Sequence, residues 1–340
     1  MKTGVKVIIS IFICIAIIIL GVGIGSVYIP PADILKIIYS NIFKGPISNE
    51  IASNSVSIIW KIRLPRAILA FIVGGALAVS GSVMQSVLKN PLASSYTLGV
   101  SSGASIGAGL VIITGFSIPL LGKFTLPLVG LLSGLLTVYL AISFTAKIDK
   151  NMENNTIILI GMVFSLFING MITLMTALAR EHLQRLTFWQ MGSFSLKEWA
   201  DVKILFPIVA ICILILIRYA KELDIMTFGE EQAMAIGVDI QKVKWVLLGF
   251  SATLTGSAIA FVGVIGFIDL ISPHVVRKIF GSSHKLVIPM SMLFGGAFMV
   301  ICDLIARTII PLSELPVGAV TALIGAPFFA YVYLSRRKVN

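Results

Sequence analysis

Charge is scarce in this chain. Asp, Glu, Lys and Arg together make 12% of its residues, against about a quarter in soluble domains, while 57% are hydrophobic. A 340-residue chain so composed cannot cover itself with a polar surface, which excludes an ordinary soluble fold. Acids are scarcer still, 15 against 26 bases, so few carboxylates are available for any coupling or catalytic set. Cysteine occurs three times, at Cys14, Cys212 and Cys302, always inside apolar runs and without disulfide or metal-ligand spacing, which leaves packing as its role. His182, His274 and His284 are equally scattered, which excludes a zinc or haem ligand set and favours structural or surface roles. A nucleotide loop of the form Gly-x-x-x-x-Gly-Lys-Ser/Thr is missing. The only Gly-Lys pair, Gly122-Lys123, is followed by Phe124 and lacks the earlier glycine. The chain is therefore expected to be neither an ATPase nor another enzyme, and nothing in it implies a cofactor, a bound metal or a nucleic acid.

What is abundant is long apolar sequence. Runs of about twenty residues recur with few charges, long enough to cross a bilayer. They lack the alternation of barrel strands, so helices must satisfy their backbone groups in lipid. Spans are expected near 7–29, 64–88, 94–114, 124–146, 156–178, 201–220, 244–265, 268–281, 285–306 and 316–334. The fold expected is all-α and polytopic, with about ten transmembrane helices in one domain over 1–340, because most connections are too short for a folded domain. The first run is longer than a signal-peptide core and has no small-x-small cleavage site, so it reads as a retained span. The eighth is short, begins around Asp269 and Pro273, and reads as a half-helix packed inside protein. An even count puts both termini on one side. Lys2, Lys6, Arg336, Arg337 and Lys338 mark that side as the cytoplasm. Lys36, Lys44, Lys123, Lys197 and Lys203 fall on the outside, either to meet an acidic partner or as ordinary solvated charges.

Small and polar residues inside the spans carry further signals. Gly99, Gly103 and Gly107 form two overlapping G-x-x-x-G steps, and Gly130 with Gly134 a third, so backbones are expected to approach closely there. In the fifth span Ser165, Asn169 and Thr173 recur every four residues, with Gly161 before and Thr176 after. Such a stripe faces protein or water in lipid. It serves either interhelical hydrogen bonding or the wall of a translocation path at a subunit interface. Asn154, Asn155 and Thr156 just before it are candidates for a cytoplasmic gate, with helix capping as the alternative. The longest cytoplasmic connection, Arg218 to Lys244, has room for two short helices. Its Gly229-Glu230-Glu231-Gln232-Ala233-Met234-Ala235-Ile236-Gly237 run predicts one of them, with acids in the first turn and a terminal glycine. Ala233 and Gly237 would offer a shallow surface for a cleft in another protein.

Several words in the chain are shared with a known group. Arg63-Leu64-Pro65-Arg66, Gly74-Gly75-Ala76-Leu77-Ala78-Val79-Ser80-Gly81, Gln85, Asn90-Pro91-Leu92-Ala93 and Leu98-Gly99-Val100-Ser101-Ser102-Gly103-Ala104 come first, in order. Trp189-Gln190-Met191-Gly192-Ser193, Gly263-Val264-Ile265-Gly266-Phe267, Pro273-His274, Arg277, Glu314-Leu315-Pro316-Val317-Gly318 and Gly325-Ala326-Pro327 follow. The chain closely resembles the FecCD family of ABC importer permeases over nearly all of its length after the first span. The resemblance implies the type II importer fold and residence in a bacterial cell membrane. The partners it implies are a second permease, identical or paralogous, two ABC ATPase subunits and an extracytoplasmic binding protein. The cargo it implies is an iron–siderophore complex, haem or cobalamin. It also implies ATPase coupling through Gly229, Glu230, Glu231, Ala233 and Gly237, where Gln232 departs from the usual alanine. Arg63, Arg66 and Arg307 would dock acidic residues of the binding protein, whereas the residues alone suggest span-end anchoring for the first two and an Asp303–Arg307 pair along one helix. An ion-driven secondary transporter is the alternative of another class. It would need carboxylates deep in the spans, and only Asp269 and Asp303 come near.

Overall fold

The computed structural model describes residues 3–25, 29–43, 45, 52–310 and 313–337, with side chains through Tyr331. Lys2, Lys44 and Lys338 lie outside the described residues. Among the described residues the chain is helical throughout and holds no strand. Helices α1 (Thr3–Gly23), α2 (Pro31–Phe43) and α3 (Ser53–Ser57) lead into a π-helical turn, Ile58–Arg63, continuous with α4 (Leu64–Val87). Next come α5 (Val100–Thr114), α6 (Thr125–Ile148), α7 (Asn154–Leu178), α8 (Leu183–Gln190) and α9 (Trp199–Arg218). They are followed by α10 (Ala220–Met226), α11 (Glu230–Ala235), α12 (Ile240–Val262), α13 (Ile268–Phe280), α14 (His284–Thr308) and α15 (Val317–Arg337).

Each expected span has its helix. Seven described helices are long and apolar enough to cross a membrane, and α5 and the described part of α15 are shorter apolar helices. The expected half-helix is α13, whose 13 residues reach about 20 Å against a hydrocarbon core of about 30 Å. The first span ends at Gly23 rather than near residue 29. The helix α2 that follows was not expected, because 13 residues cannot span. Its apolar face, Ile34 and Ile37, packs with Val22, Ile59 and Ala67 under the start of α4. The polypeptide thus has two ends, an α2 face and, opposite it, an α11 face.

Helix α4 occupies the centre, with 89% of its most apolar stretch buried. Lipid supplies no hydrophobic drive between helices, so contact must come from close packing and hydrogen bonds. Glycines provide the first: Gly74 meets Gly295 of α14 backbone to backbone, and Gly81 lies on the Asp269 carbonyl of α13. Serines provide the second. Ser80 Oγ lies 2.6 Å from Ser95 Oγ, donates to the Ser251 carbonyl at 2.9 Å and accepts from Thr255 Oγ1 at 2.8 Å, joining α4 to α12. The G-x-x-x-G expectation holds for α5 and α6, where Gly103 and Gly107 face Ser133 and Thr137, and Gly134 faces Val100 and Ala104.

A Gly81→Ala change places a methyl group against the Asp269 carbonyl and should cost about 1–3 kcal/mol or more, the range for overpacking. Gly170→Ala, with open space around it, should be neutral or slightly stabilising. Thermal melting of the two purified variants in one detergent checks the contrast.

Candidate functional site

On the α2 face, Arg66 is held by two carboxylates. Its Nε and NH2 donate to Asp303 of α14 at 2.8–3.1 Å, and NH1 and NH2 donate to Glu314 at 2.7 and 3.1 Å. The Ser195 hydroxyl donates to the same Glu314. Arg307 approaches Asp303 at 3.7 Å and donates to the Gly21 carbonyl, while Arg63 donates to the carbonyls of Val22 and Gly23 at 3.3 and 2.9 Å. The three arginines expected at the docking surface are thus each engaged within the chain. Arg63 and Arg66 are buried and Arg307 nearly so, because Asp303 needs a counter-ion inside the bundle and the last carbonyls of α1 lack helical partners. The Asp303–Arg307 approach along one helix is present.

Beside this cluster opens a cleft of about 620 Å³, lined among others by Lys61, Arg66, Ser195, Lys197, Glu198 and Glu314. Burial lowers the Lys197 pKa. Lys123 is bonded to Glu198 at 2.9 Å, and Lys203 is exposed. Burial raises the Glu314 carboxyl, but the bonds from Arg66 and Ser195 outweigh it and hold Glu314 below the usual glutamate range.

On the α11 face, α10 and α11 are the two short helices expected between Arg218 and Lys244. Glu231 and Gly237 are exposed, and Gly237 has a φ of 90° suited to glycine. Two other expected surface residues turn inward. Ala233 is 0% exposed, packed as the one small inward residue that lets α11 lie flat, and Glu230 pairs with Lys244 of α12 at 2.9 Å. Gly229 begins α11 at a φ of 139°, with the Gln232 side chain folded where a Cβ would stand, so the family departure at Gln232 is accommodated locally. The exposed edge consists instead of Phe228, Met234 and Ile236. Three apolar residues in a charged connection were a legible signal, although the sequence reading passed over them.

Two side chains outside the predicted coupling set anchor this segment. Lys244, 0% exposed, donates to Glu230 and, at 2.7 Å, to the Met152 carbonyl in the α6–α7 turn. His284, buried at the start of α14, lies 2.6 Å from both Asp224 of α10 and Ser86 of α4. Of the structural or surface roles expected for the histidines, its burial and its two partners fit the structural one. In the turn, Asp149 accepts from the backbone N–H of Glu153 at 2.7 Å and of Asn151 at 2.9 Å. These bonds, with one from Thr156, hold its carboxyl below the usual aspartate range. Asn154, Asn155 and Thr156 thus sit at a braced helix start, where the Asn154 Oδ1 has no hydrogen-bond partner among the described residues.

The α7 stripe lies between protein and open surface. Ser165 is half-buried and donates to the Gly161 carbonyl, next to Gly99. Asn169 is exposed and accepts from Ser102 of α5 at 3.0 Å, and Thr173 lines a cleft of about 550 Å³ with Thr176, Arg180 and Gln190. Both roles foreseen for the stripe are therefore compatible with its position.

The bundle, with seven described helices long and apolar enough to cross a bilayer, defines a multi-pass membrane protein. A model of the FecCD transport family matches residues 13–335, and the chain belongs to that family. An uncharacterized ABC transporter permease protein of Bacillus subtilis, YvrB, is 39% identical over 94% of this chain and 91% of its own length. The cobalamin import permease BtuC of Halobacterium salinarum is 35% identical over 86% of this chain and 78% of its own. The hemin transport permease HmuU of Yersinia pestis is 36% identical over 82% and 84%. A solved ABC transporter assigned to the metal-chelate type, in an inward-facing conformation, superposes with a TM-score of 0.84 at 29% identity, covering 96% of this chain and 97% of that one.

Asp303→Ala leaves Arg66 buried with Glu314 alone and should destabilise the protein by about 3–5 kcal/mol, the cost of orphaning a buried pair. Denaturant titration in detergent micelles measures it. Glu314 adds a pH dependence. Because its folded pKa is depressed, its contribution is complete above the unfolded value of about 4.3 and is lost as pH falls through the folded value. Melting temperature should drop more steeply below that pH in the unsubstituted protein than in Glu314→Gln.

Proposed function

We propose that this chain is the transmembrane permease subunit of an ABC importer that takes a metal chelate, foremost an iron–siderophore complex, from an extracytoplasmic binding protein into the cytoplasm. The observation that carries the reading is the exposed apolar edge of the α10–α11 segment, with Phe228 at 82% and Ile236 at 67% exposure beside Gly237. An exposed apolar patch at the end of a transmembrane bundle marks a partner site. A chain without a nucleotide loop needs an ATPase there. Membership of the FecCD transport family and likeness to a metal-chelate type transporter support the same partner and cargo class.

On this reading residues 1–340 are one permease domain of a bacterial cell membrane, with the α11 face and both termini in the cytoplasm. One of the two ATPase subunits seats against Glu231, Gly237 and the apolar edge, and the other against the second permease, while Gly229, Glu230 and Ala233 shape that edge from behind. The wide, weakly binding path runs along Ser165, Asn169 and Thr173 of α7 and is gated at Asn154, Asn155 and Thr156. A second permease, identical or paralogous, covers the outward side of α7, where Leu166 and Phe167 are exposed. The binding protein sits on the α2 face. Arg63, Arg66 and Arg307 brace that platform, and Lys61 and Lys197 beside the cleft meet acidic side chains. Each exposed pair contributes only about 0.2–1 kcal/mol, which orients a partner more than it clamps one. Haem or cobalamin is the second cargo reading, favoured by the hemin and cobalamin permeases among the relatives.

Proteoliposomes holding the permease with its ATPase and a loaded binding protein should accumulate ferric siderophore only with internal ATP hydrolysis. Uptake driven by a proton or sodium gradient without ATP would end the importer reading, and competition among ferric siderophores, haem and cobalamin selects the cargo. Phe228→Asp should weaken ATPase association by about 30-fold or more, as loss of an interface anchor does.

A further inference from the structure

Lys244 is a charged side chain with no contact to solvent and no role in docking or in the path. Its ammonium joins three elements: it stands on α12, donates to Glu230 Oε2 of α11 at 2.9 Å, and donates to the Met152 carbonyl of the α6–α7 turn at 2.7 Å. That turn is stiff. Asp149 ties it by two backbone bonds and by Thr156, the Lys244 charge also favours the Asp149 carboxylate, and Met152 is buried at a φ of 50°. The turn opens directly into α7 at Asn154.

Gln241 of α12 also donates to the Lys150 carbonyl, so α12 grips the turn at two points, and Lys244 is where that grip extends to α11. A cleft of about 470 Å³, lined by Asn151, Glu153, Glu230, Glu231 and Met234 among others, separates α11 from the turn. The Lys244 bonds bridge them beside it. A buried ammonium cannot exchange a lost partner for water, so breaking either bond leaves an unsatisfied charge, whereas an exposed pair would slip freely.

We infer that Lys244 is a positioning residue through which displacement of α11 reaches the first turn of α7, so that the ATPase-facing helix and the gate-bearing turn move as one body. The inference rests on the importer reading and adds to it a route from α11 to the gate.

Spin labels at Lys150→Cys and Ala235→Cys, both exposed, report the separation of the turn from α11 in the complete importer in nanodiscs. Cys14, Cys212 and Cys302 are buried and stay unlabelled. In the otherwise unsubstituted importer the separation should stay the same with and without ATP. In Lys244→Met it should shift or broaden when ATP is added, and chelate taken up per ATP hydrolysed should fall by about tenfold, within the usual span of coupling between sites. Glu230→Gln, which keeps an acceptor but removes the charge, should give the same change at smaller amplitude and decides the matter if Lys244→Met does not assemble. A separation that already changes with ATP in the unsubstituted importer would overturn the strut. So would variants that keep both a fixed separation and full uptake per ATP. Failure of the unsubstituted importer to use ATP at all would instead remove the importer reading, and the strut with it.

Discussion

Close approach of α4 to its neighbours is the constraint from which the rest of the structure follows. In lipid, apolar side chains gain nothing by leaving hydrocarbon for protein, so a helix stays central only if its contacts are tighter or more polar than lipid offers. Gly74, Gly81 and the Ser80–Ser95–Thr255 bonds supply both. Once α4 is fixed, so are its two ends. Arg66 reaches Asp303 and Glu314 at one, and Gln85 and Ser86 receive Arg277 at 2.6 and 3.2 Å at the other. A single rigid helix therefore sets the reference for both faces.

The faces use buried charge differently. On the α2 face one guanidinium is shared between two carboxylates, an over-determined arrangement suited to a platform that keeps its shape. On the α11 face one carboxylate of each short helix meets one basic side chain. Asp224 of α10 bonds the ring and backbone of His284 and the Ser283 hydroxyl, with Leu223 and Met226 buried beside it, and Glu230 of α11 pairs with Lys244, with Ala233 buried beside it. Loss of Glu230 would leave the buried Lys244 ammonium bonded to the Met152 carbonyl alone, without a bonded counter-ion.

Much of the membrane architecture was legible because a twenty-residue apolar run has few alternatives to a spanning helix. The half-length α13 was legible from its length and Asp269. Helix α2 was not, since a 13-residue amphipathic stretch has no spanning signal and its packing partners, Val22 and Ile59, lie elsewhere in the chain. The direction of a side chain was the hardest feature to read. Arg66 is a sensible docking residue in isolation, and only its approach to Glu314, far along the sequence, turns it inward. Ala233 illustrates the same limit, because a small residue suits a shallow exposed surface and a tight buried one equally well. Lys244 was open to better reading. A lysine near the start of an apolar span must find a partner, and Glu230 and Glu231 were the acids just before Asp239 on the connecting segment.

Helices α4 and α7 stand at opposite extremes of burial, with 89% of the most apolar stretch buried in one and 17% in the other. Within one subunit α7 is thus the least buried span, which leaves its outward side for the second permease of the proposed assembly, whereas α4 is held by its own bundle. The polar residues Asn169 and Thr173 lie on that least-packed span, and the Lys244 bond meets the chain at the turn just before it. On the proposed reading a displacement of α11 would reach the span that faces the second permease, while α4 and its paired ends hold the two faces in register. The same packing chemistry thus separates the two helices: small residues and buried bonds fix α4 within its own bundle, and exposed aliphatic surface leaves α7 to be completed by lipid or by the second permease.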